Sequence, residues 1–212
     1  MLSRARPGRS PRAPLSFIDP CQPTVHDKLP AGPGWVYEIK HDGYRLQAHR
    51  RAECVRLFTR TGIDWTDRFP LIAAAAGGLK ARSAILDCEA VYCDEGGRSD
   101  FDVLHGRSRE REVCVYTFDL LELDGADLRA RPIEERRAAL AKVLRPIKAG
   151  ILFSEHLTGD PETIFRHACD LGLEGIVAKR LGSKYKSGRT DSWIKVKNPN
   201  VPAFLRVMES TF

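Results

Sequence analysis

The sequence lacks the patterns that tie a chain to a structural metal, a disulfide scaffold or a membrane. Its six cysteines, Cys21, Cys54, Cys88, Cys93, Cys114 and Cys169, contain no C-x-x-C pair, and no histidines accompany them at zinc spacing. They read as free thiols in a reducing compartment. No apolar run is long enough to span a bilayer. The stretch from Met1 to Pro14 is rich in Arg and Pro and has no apolar core of the kind a signal peptide needs. Its prolines also oppose the amphipathic helix of an organellar transit peptide. A cytoplasmic protein without a membrane partner is expected. There is no internal repeat, and no low-complexity segment beyond the first residues.

What is present suits one sizeable core in 212 residues, or two small ones sharing a sheet, and one main domain is expected. A net charge of +6 with a pI near 9.1 comes with abundant acids, so it is a bias and not a tail. It fits a polyanionic partner, and equally a generic basic soluble protein. Residues 1–16 are expected to be a disordered basic arm, 17–200 the folded domain and 201–212 a tail.

The element pattern is α+β. Val36, Tyr37 and Ile39 are strand formers, Asp42-Gly43 predicts a hairpin turn, and Leu46 with Ala48 starts the return strand. A third strand runs from Cys54 to Arg60, and a helix is predicted over Asp64 to Ala76, stopped by Gly77-Gly78. Ala84 to Tyr92 reads as a strand with Asp87 and Glu89 on one face. A short helix from Asp100 to His105 and a strand from Val113 to Leu121 follow. Then come an amphipathic helix from Pro132 to Leu144 and a strand from Ile151 to His156. A helix capped by Asp160 covers Pro161 to Leu171, and a last strand, Trp193 to Lys197, puts Lys195 and Lys197 on one face.

The densest chemistry lies in Lys40-His41-Asp42-Gly43-Tyr44-Arg45, a K-x-D-G-x-R spacing. It offers a lysine at a strand end. That suits a nucleophile, since a lysine crowded by other cations loses its proton more readily, and it suits an ordinary solvated hairpin lysine as well. Read singly, the other blocks are also open: Phe118 as core, Glu174-Gly175 as a turn, Glu89 as an edge carboxylate, and Lys195 with Lys197 as a solvated strand face.

Read jointly, the blocks decide. K-x-D-G-x-R, Leu86-Asp87-Cys88-Glu89, Tyr116 to Leu121, Glu174-Gly175-Ile176-Val177-Ala178-Lys179 and Trp193-Ile194-Lys195-Val196-Lys197 fall in the order of the covalent nucleotidyltransferases. That superfamily contains ATP-dependent DNA ligases, RNA ligases and capping enzymes. Leu57 to Pro70 and Gly172 to Gly175 resemble the ligase domain of bacterial end-joining DNA ligases.

The resemblance implies an ATP-grasp-like adenylation domain of two mostly antiparallel sheets with flanking helices. It implies ATP and Mg2+ or Mn2+ as cofactors, nicked or broken double-stranded DNA as substrate, and a lysyl-AMP intermediate in DNA repair. It casts Lys40 as the nucleophile, Glu38 and Ile39 as contacts of the adenine edge, and Phe118 as the ring stacked on the base. Arg45 and Glu89 become ribose and phosphate contacts, Arg60 a phosphate contact, Lys195 and Lys197 contacts of the α-phosphate, and Glu174 the metal carboxylate.

Two departures stand out. Cys88 replaces the glycine usual between Asp87 and Glu89. About fifteen residues follow Lys197 where the family's ligases continue into an oligonucleotide-binding barrel, so no such domain is expected, and a separate DNA-clamping or end-binding protein would fit. The rival readings are an RNA-ligase or capping-type transferase, opposed by Trp65 to Pro70, and a degenerate accessory module binding ATP or DNA, opposed by the intact motifs.

Overall fold

A computed structural model describes residues 17–201 of the chain. The expected basic arm and the tail from residue 202 lie outside the described residues. The chain runs through β1 (Cys21–Val25), β2 (Trp35–Lys40), β3 (Tyr44–Arg51), β4 (Cys54–Thr59) and α1 (Pro70–Gly77). It continues with β5 (Ser83–Val91), α2 (Phe101–His105), β6 (Cys114–Leu123), β7 (Ala126–Asp127) and α3 (Ile133–Leu144). It closes with β8 (Ile151–Phe153), α4 (Pro161–Asp170), β9 (Gly175–Arg180) and β10 (Gly188–Lys197).

The strands form two sheets, as expected. One has the order β4-β3-β5-β6-β7, with β8 added to β6; the other has the order β1-β10-β9-β2. All pairings are antiparallel except β1 with β10 and β6 with β8.

Alternation along the strands explains how the sheets face each other. Ala84, Leu86, Cys88 and Ala90 of β5 point into a core with Leu46, Leu57, Ile72 and Ala76, and with Leu140 and Leu144 of α3. Ile85, Asp87 and Glu89 take the opposite face. A second core between the sheets joins Ile85 to Phe118, Ile133, Tyr185 and Trp193. The outer face of the smaller sheet buries Tyr37, Ile176, Ala178, Ile194 and Val196 against Ala168 of α4. Each sheet thus turns its polar alternation toward a shared cleft.

Four details depart from the sequence reading. Asp42-Gly43 does not close a hairpin: β2 pairs with β9 while β3 pairs with β4 and β5, so the turn carries the chain from one sheet to the other. Gly43 is needed because a Cβ there would collide with the carbonyl oxygen of Ala90. The helix expected over Asp64 to Ala76 is broken. Pro70 disfavours helical backbone at Phe69, which sits at φ −124° and ψ 71°, so a 3-10 turn over Thr66–Arg68 precedes α1. The strand expected to reach His156 stops at Phe153, where the chain turns to hydrogen-bond Glu38. The last strand starts at Gly188 and not Trp193, because β1 pairs along it.

Candidate active site

The cleft holds a cavity of about 390 Å³ bordered by Glu38, Ile39, Lys40, His41, Arg45, Arg60, Glu89, Phe118 and Lys195. Eight of the ten residues named from the sequence therefore meet at one place. Glu174 lines an adjoining cavity of about 290 Å³, and Lys40 borders both.

Lys40 ends β2 opposite Gly175, the first residue of β9. Gly175 has a φ of +148°, and a Cβ on it would strike the carbonyl oxygen of Val196, so only glycine lets β9 and β10 approach so closely. This packing sets Glu174 against the lysine: Lys40 Nζ lies 2.5 Å from Glu174 Oε2, and Lys197 Nζ lies 3.8 Å from Oε1. Lys195 shares the face of Lys197, and burial, reinforced by Lys40 and Lys197, pushes its ammonium below the ordinary lysine value. Arg60, just beyond β4, is exposed at the cavity wall. The cluster is a set of cations around one carboxylate.

Deeper in, the charges are caged. Glu38 is 2% exposed and accepts from Arg137 Nη1 at 2.9 Å, Ser154 Oγ at 3.2 Å, His156 Nε2 at 3.0 Å and Lys179 Nζ at 2.8 Å. Burial alone would raise its carboxyl, but Lys179, His156 and Arg137 hold it at about 2. Arg45 grips Asp87 through two bonds, 2.6 Å from Nε and 2.7 Å from Nη2, and Tyr185 donates to the same carboxylate at 2.6 Å.

Phe118 is the extra residue of a bulge, since Asp87 pairs with Asp119 while Cys88 pairs with Thr117. A bulge re-aims a side chain. Here the Phe118 ring meets the Arg45 guanidinium and Lys179 Nζ, each 4.5 Å from its centroid. Burial lifts the Glu89 carboxyl to about 7 against the pull of Lys40 and Arg45. Ile39 pairs in register with Ile176, so its side chain shares the outer face, and what it turns to the cavity is main chain.

Sequence reasoning missed the cage itself: Lys179, Arg137, Ser154 and His156 were given no role. Lys179 carried a signal, a cation directly after the apolar run Ile176-Val177-Ala178 in the strand Gly175–Arg180. It also missed that Cys88 points away from the site, with its thiol donating to the Leu46 carbonyl at 3.2 Å inside the main core. The glycine replacement therefore leaves the cleft face of β5 untouched. His41 stacks on Tyr116 with ring centroids 3.8 Å apart.

No helix among the described residues is long and apolar enough to cross a membrane. The model of the ATP dependent DNA ligase domain matches residues 19–197. The chain is 42% identical over 199 residues to the multifunctional non-homologous end joining protein LigD of Pseudomonas aeruginosa, covering 91% of this chain and 24% of that protein. It is 36% identical to a multifunctional non-homologous end joining DNA repair protein LigD of Mycobacterium tuberculosis, covering 78% of this chain and 22% of that one. The chain thus spans about a quarter of the length of these relatives. Among solved structures, a mycobacterial DNA ligase D complexed with ATP and MES superposes with a TM-score of 0.76 at 33% identity, covering 85% of this chain and 60% of that one. The Chlorella virus DNA ligase-adenylate, at 14% identity and a TM-score of 0.61, shares the fold. With the fold, the converging motifs and this match, the chain belongs to the ATP dependent DNA ligase domain family.

Proposed function

We propose that the chain carries the adenylation step of ATP-dependent DNA strand joining, with Lys40 as the nucleophile. The observation that supports this best is Lys40 itself, on the border of the cavity of about 390 Å³, 2.5 Å from Glu174 and beside Lys195 and Lys197. Its Nζ attacks the α-phosphorus of ATP, a P–N bond forms, and the bond to pyrophosphate breaks. Phosphoryl-type transfer needs positioning and charge neutralisation above all, and these cations supply both.

The ion pair with Glu174 has to open first, because a lysine bonded through its proton to a carboxylate has no lone pair to offer. Glu174 is the carboxylate suited to a divalent cation. Among the described residues no cluster of three or more His, Cys, Asp and Glu side chains forms a metal cage. One carboxylate plus substrate phosphate is the usual setting for Mg2+ or Mn2+. When bound there, the ion would neutralise charge on the phosphates. Lys195 and Lys197 hold the α-phosphate, and Arg60 reaches a phosphate from the opposite wall. Phe118 stacks the base, and Arg45 and Glu89 hold the ribose side. Glu38, its oxygens taken by four donors, fixes the wall, and the adenine edge meets main chain beside Ile39.

The polynucleotide substrate is nicked or broken DNA, and the LigD resemblance favours repair of breaks, together with a separate clamping or end-binding protein. Intact-mass spectrometry after mixing with ATP and Mg2+ tests the first step. One AMP per chain, mapped to Lys40, is expected. AMP on another lysine would remove Lys40 from its role, and equal labelling by GTP would point to a capping-type transferase.

A further inference from the structure

Next to the lysine strand is a feature that adenylation does not use. Cys114 opens β6 directly opposite Val91, the last residue of β5, and Cys93 follows two positions later on the same side. That diagonal sets the two side chains on one face of neighbouring strands, and an isolated bridge pairs Cys93 with Ser99. Both are partly exposed, unlike the buried Cys21 and Cys88. Ser99 Oγ in turn lies 3.4 Å from His41 Nδ1, and His41 is bonded through the chain to Lys40 and stacked on Tyr116, two residues past Cys114. Asp94, Arg98 and Ser99 form one wall of the cavity that Lys40 and Glu174 share.

We propose that Cys93 and Cys114 are a peroxide-oxidisable dithiol whose disulfide displaces the Asp94–Ser99 wall and slows adenylation of Lys40. The effect on adenylation rests on the function proposed above; formation of the disulfide does not. The roles of the two sulfurs follow from their places in the fold. Cys93 lies past the end of β5 while Cys114 is held within β6, so Cys93 is the attacking sulfur. The directions agree, the Cys93 thiol being lowered and the Cys114 thiol raised. The Cys93 thiolate takes one oxygen from a peroxide, the O–O bond breaks, and a sulfenic acid forms with release of water or an alcohol. The Cys114 sulfur then attacks it. The S–S bond forms, the S–O bond breaks, and the thiol proton leaves with the hydroxide as a second water.

The experiment treats the full chain with hydrogen peroxide, alkylates free thiols and maps cross-linked peptides, then follows adenylation by intact mass. A Cys93–Cys114 cross-link is expected, with adenylation slowed roughly tenfold, as a small displacement beside a reacting group would give, and restored by dithiothreitol. Cys114→Ser and Cys93→Ser, kept reduced, should adenylate at the wild-type rate and resist peroxide; Cys54→Ser should behave as wild type. No cross-link between these two cysteines, or a cross-link with adenylation unchanged, overturns the proposal. A reduced wild-type chain that takes no AMP would sink the adenylation reading, while the peptide map still decides whether the dithiol exists.

Discussion

At the inner wall of the cleft Glu38 accepts four hydrogen bonds, while at its mouth Glu174 is ion-paired, among the described residues, with Lys40 at 2.5 Å and Lys197 at 3.8 Å. The cations differ in the same way. Lys179, beside Glu38, is 2% exposed, whereas the side chains of Lys40 and Lys197 are 20% and 17% exposed. Buried charges held from every side cannot exchange partners without a large desolvation cost, so the inner wall is scaffold. Charges at a wetter mouth with a partner or two can trade a carboxylate for a phosphate, and this is where chemistry can occur.

The largest effect that separates the two regions is at the mouth. Lys40→Ala should abolish AMP incorporation while leaving the urea midpoint close to wild type; residual label on the variant would break the assignment. At the inner wall the converse is expected. Glu38→Ala strands Lys179 and Arg137 without their anion, and should cost about 3–5 kcal/mol by urea denaturation, the penalty for removing one partner of a buried pair. A loss smaller than that of Glu174→Ala would reverse the comparison. Glu174→Ala should keep its circular dichroism spectrum and lose about 10²-fold in adenylation rate, in the range for removing one electrostatic stabiliser. Unchanged labelling would take Glu174 out of the site.

The smallest effect is on pH dependence, where two carboxylates pull in opposite directions. Glu38, at about 2 in the fold against an ordinary 4.5, contributes stability that is complete above 4.5 and is lost as pH falls toward 2. Glu89, raised to about 7, contributes stability that is complete below 4.5 and is lost as pH rises through 7. Urea midpoints across this span should therefore peak at mildly acidic pH, and Glu89→Gln should flatten only the alkaline side. A variant that still declines between 4.5 and 7 would show that another group carries that arm.

The readable part of the molecule was the part governed by local rules. Alternation in β5 set Asp87 and Glu89 against Leu86 and Cys88, and Asp160 caps α4 by accepting from Thr163 N. Of the eight site residues that line one cavity, five, Lys40, Arg45, Glu89, Phe118 and Lys195, belong to the five ordered blocks, while Glu38, Ile39 and Arg60 came from flanking sequence. What escaped depends on contacts far apart in sequence. Arg137 stands 99 residues from Glu38, on a helix whose charged residues read as solvent-facing. The burial of an arginine is decided by a partner whose approach no spacing reveals. Asp42-Gly43 misled for a related reason: the glycine answers to the Ala90 carbonyl of β5, and a close approach leaves the same mark in sequence as a tight hairpin.

The pairing of β1 with β10 also bears on the order in which the protein becomes competent. Cys21 pairs with Gly188 and Val25 with Lys195, so the sheet that carries Lys40, Lys195 and Lys197 closes only when segments from opposite ends of the described chain meet. The sheet of β3, β4 and β5 joins neighbours in sequence and pays far less loop-closure entropy. Nascent chains should thus acquire amide protection in β3, β4 and β5 first and in β1, β9 and β10 last, as pulse-labelled hydrogen exchange during refolding would show. A half-made chain would then hold ordered structure but not the assembled cluster of Lys40, Glu174 and Lys197, and on the proposed function reactivity toward ATP would be withheld until synthesis has passed Lys197.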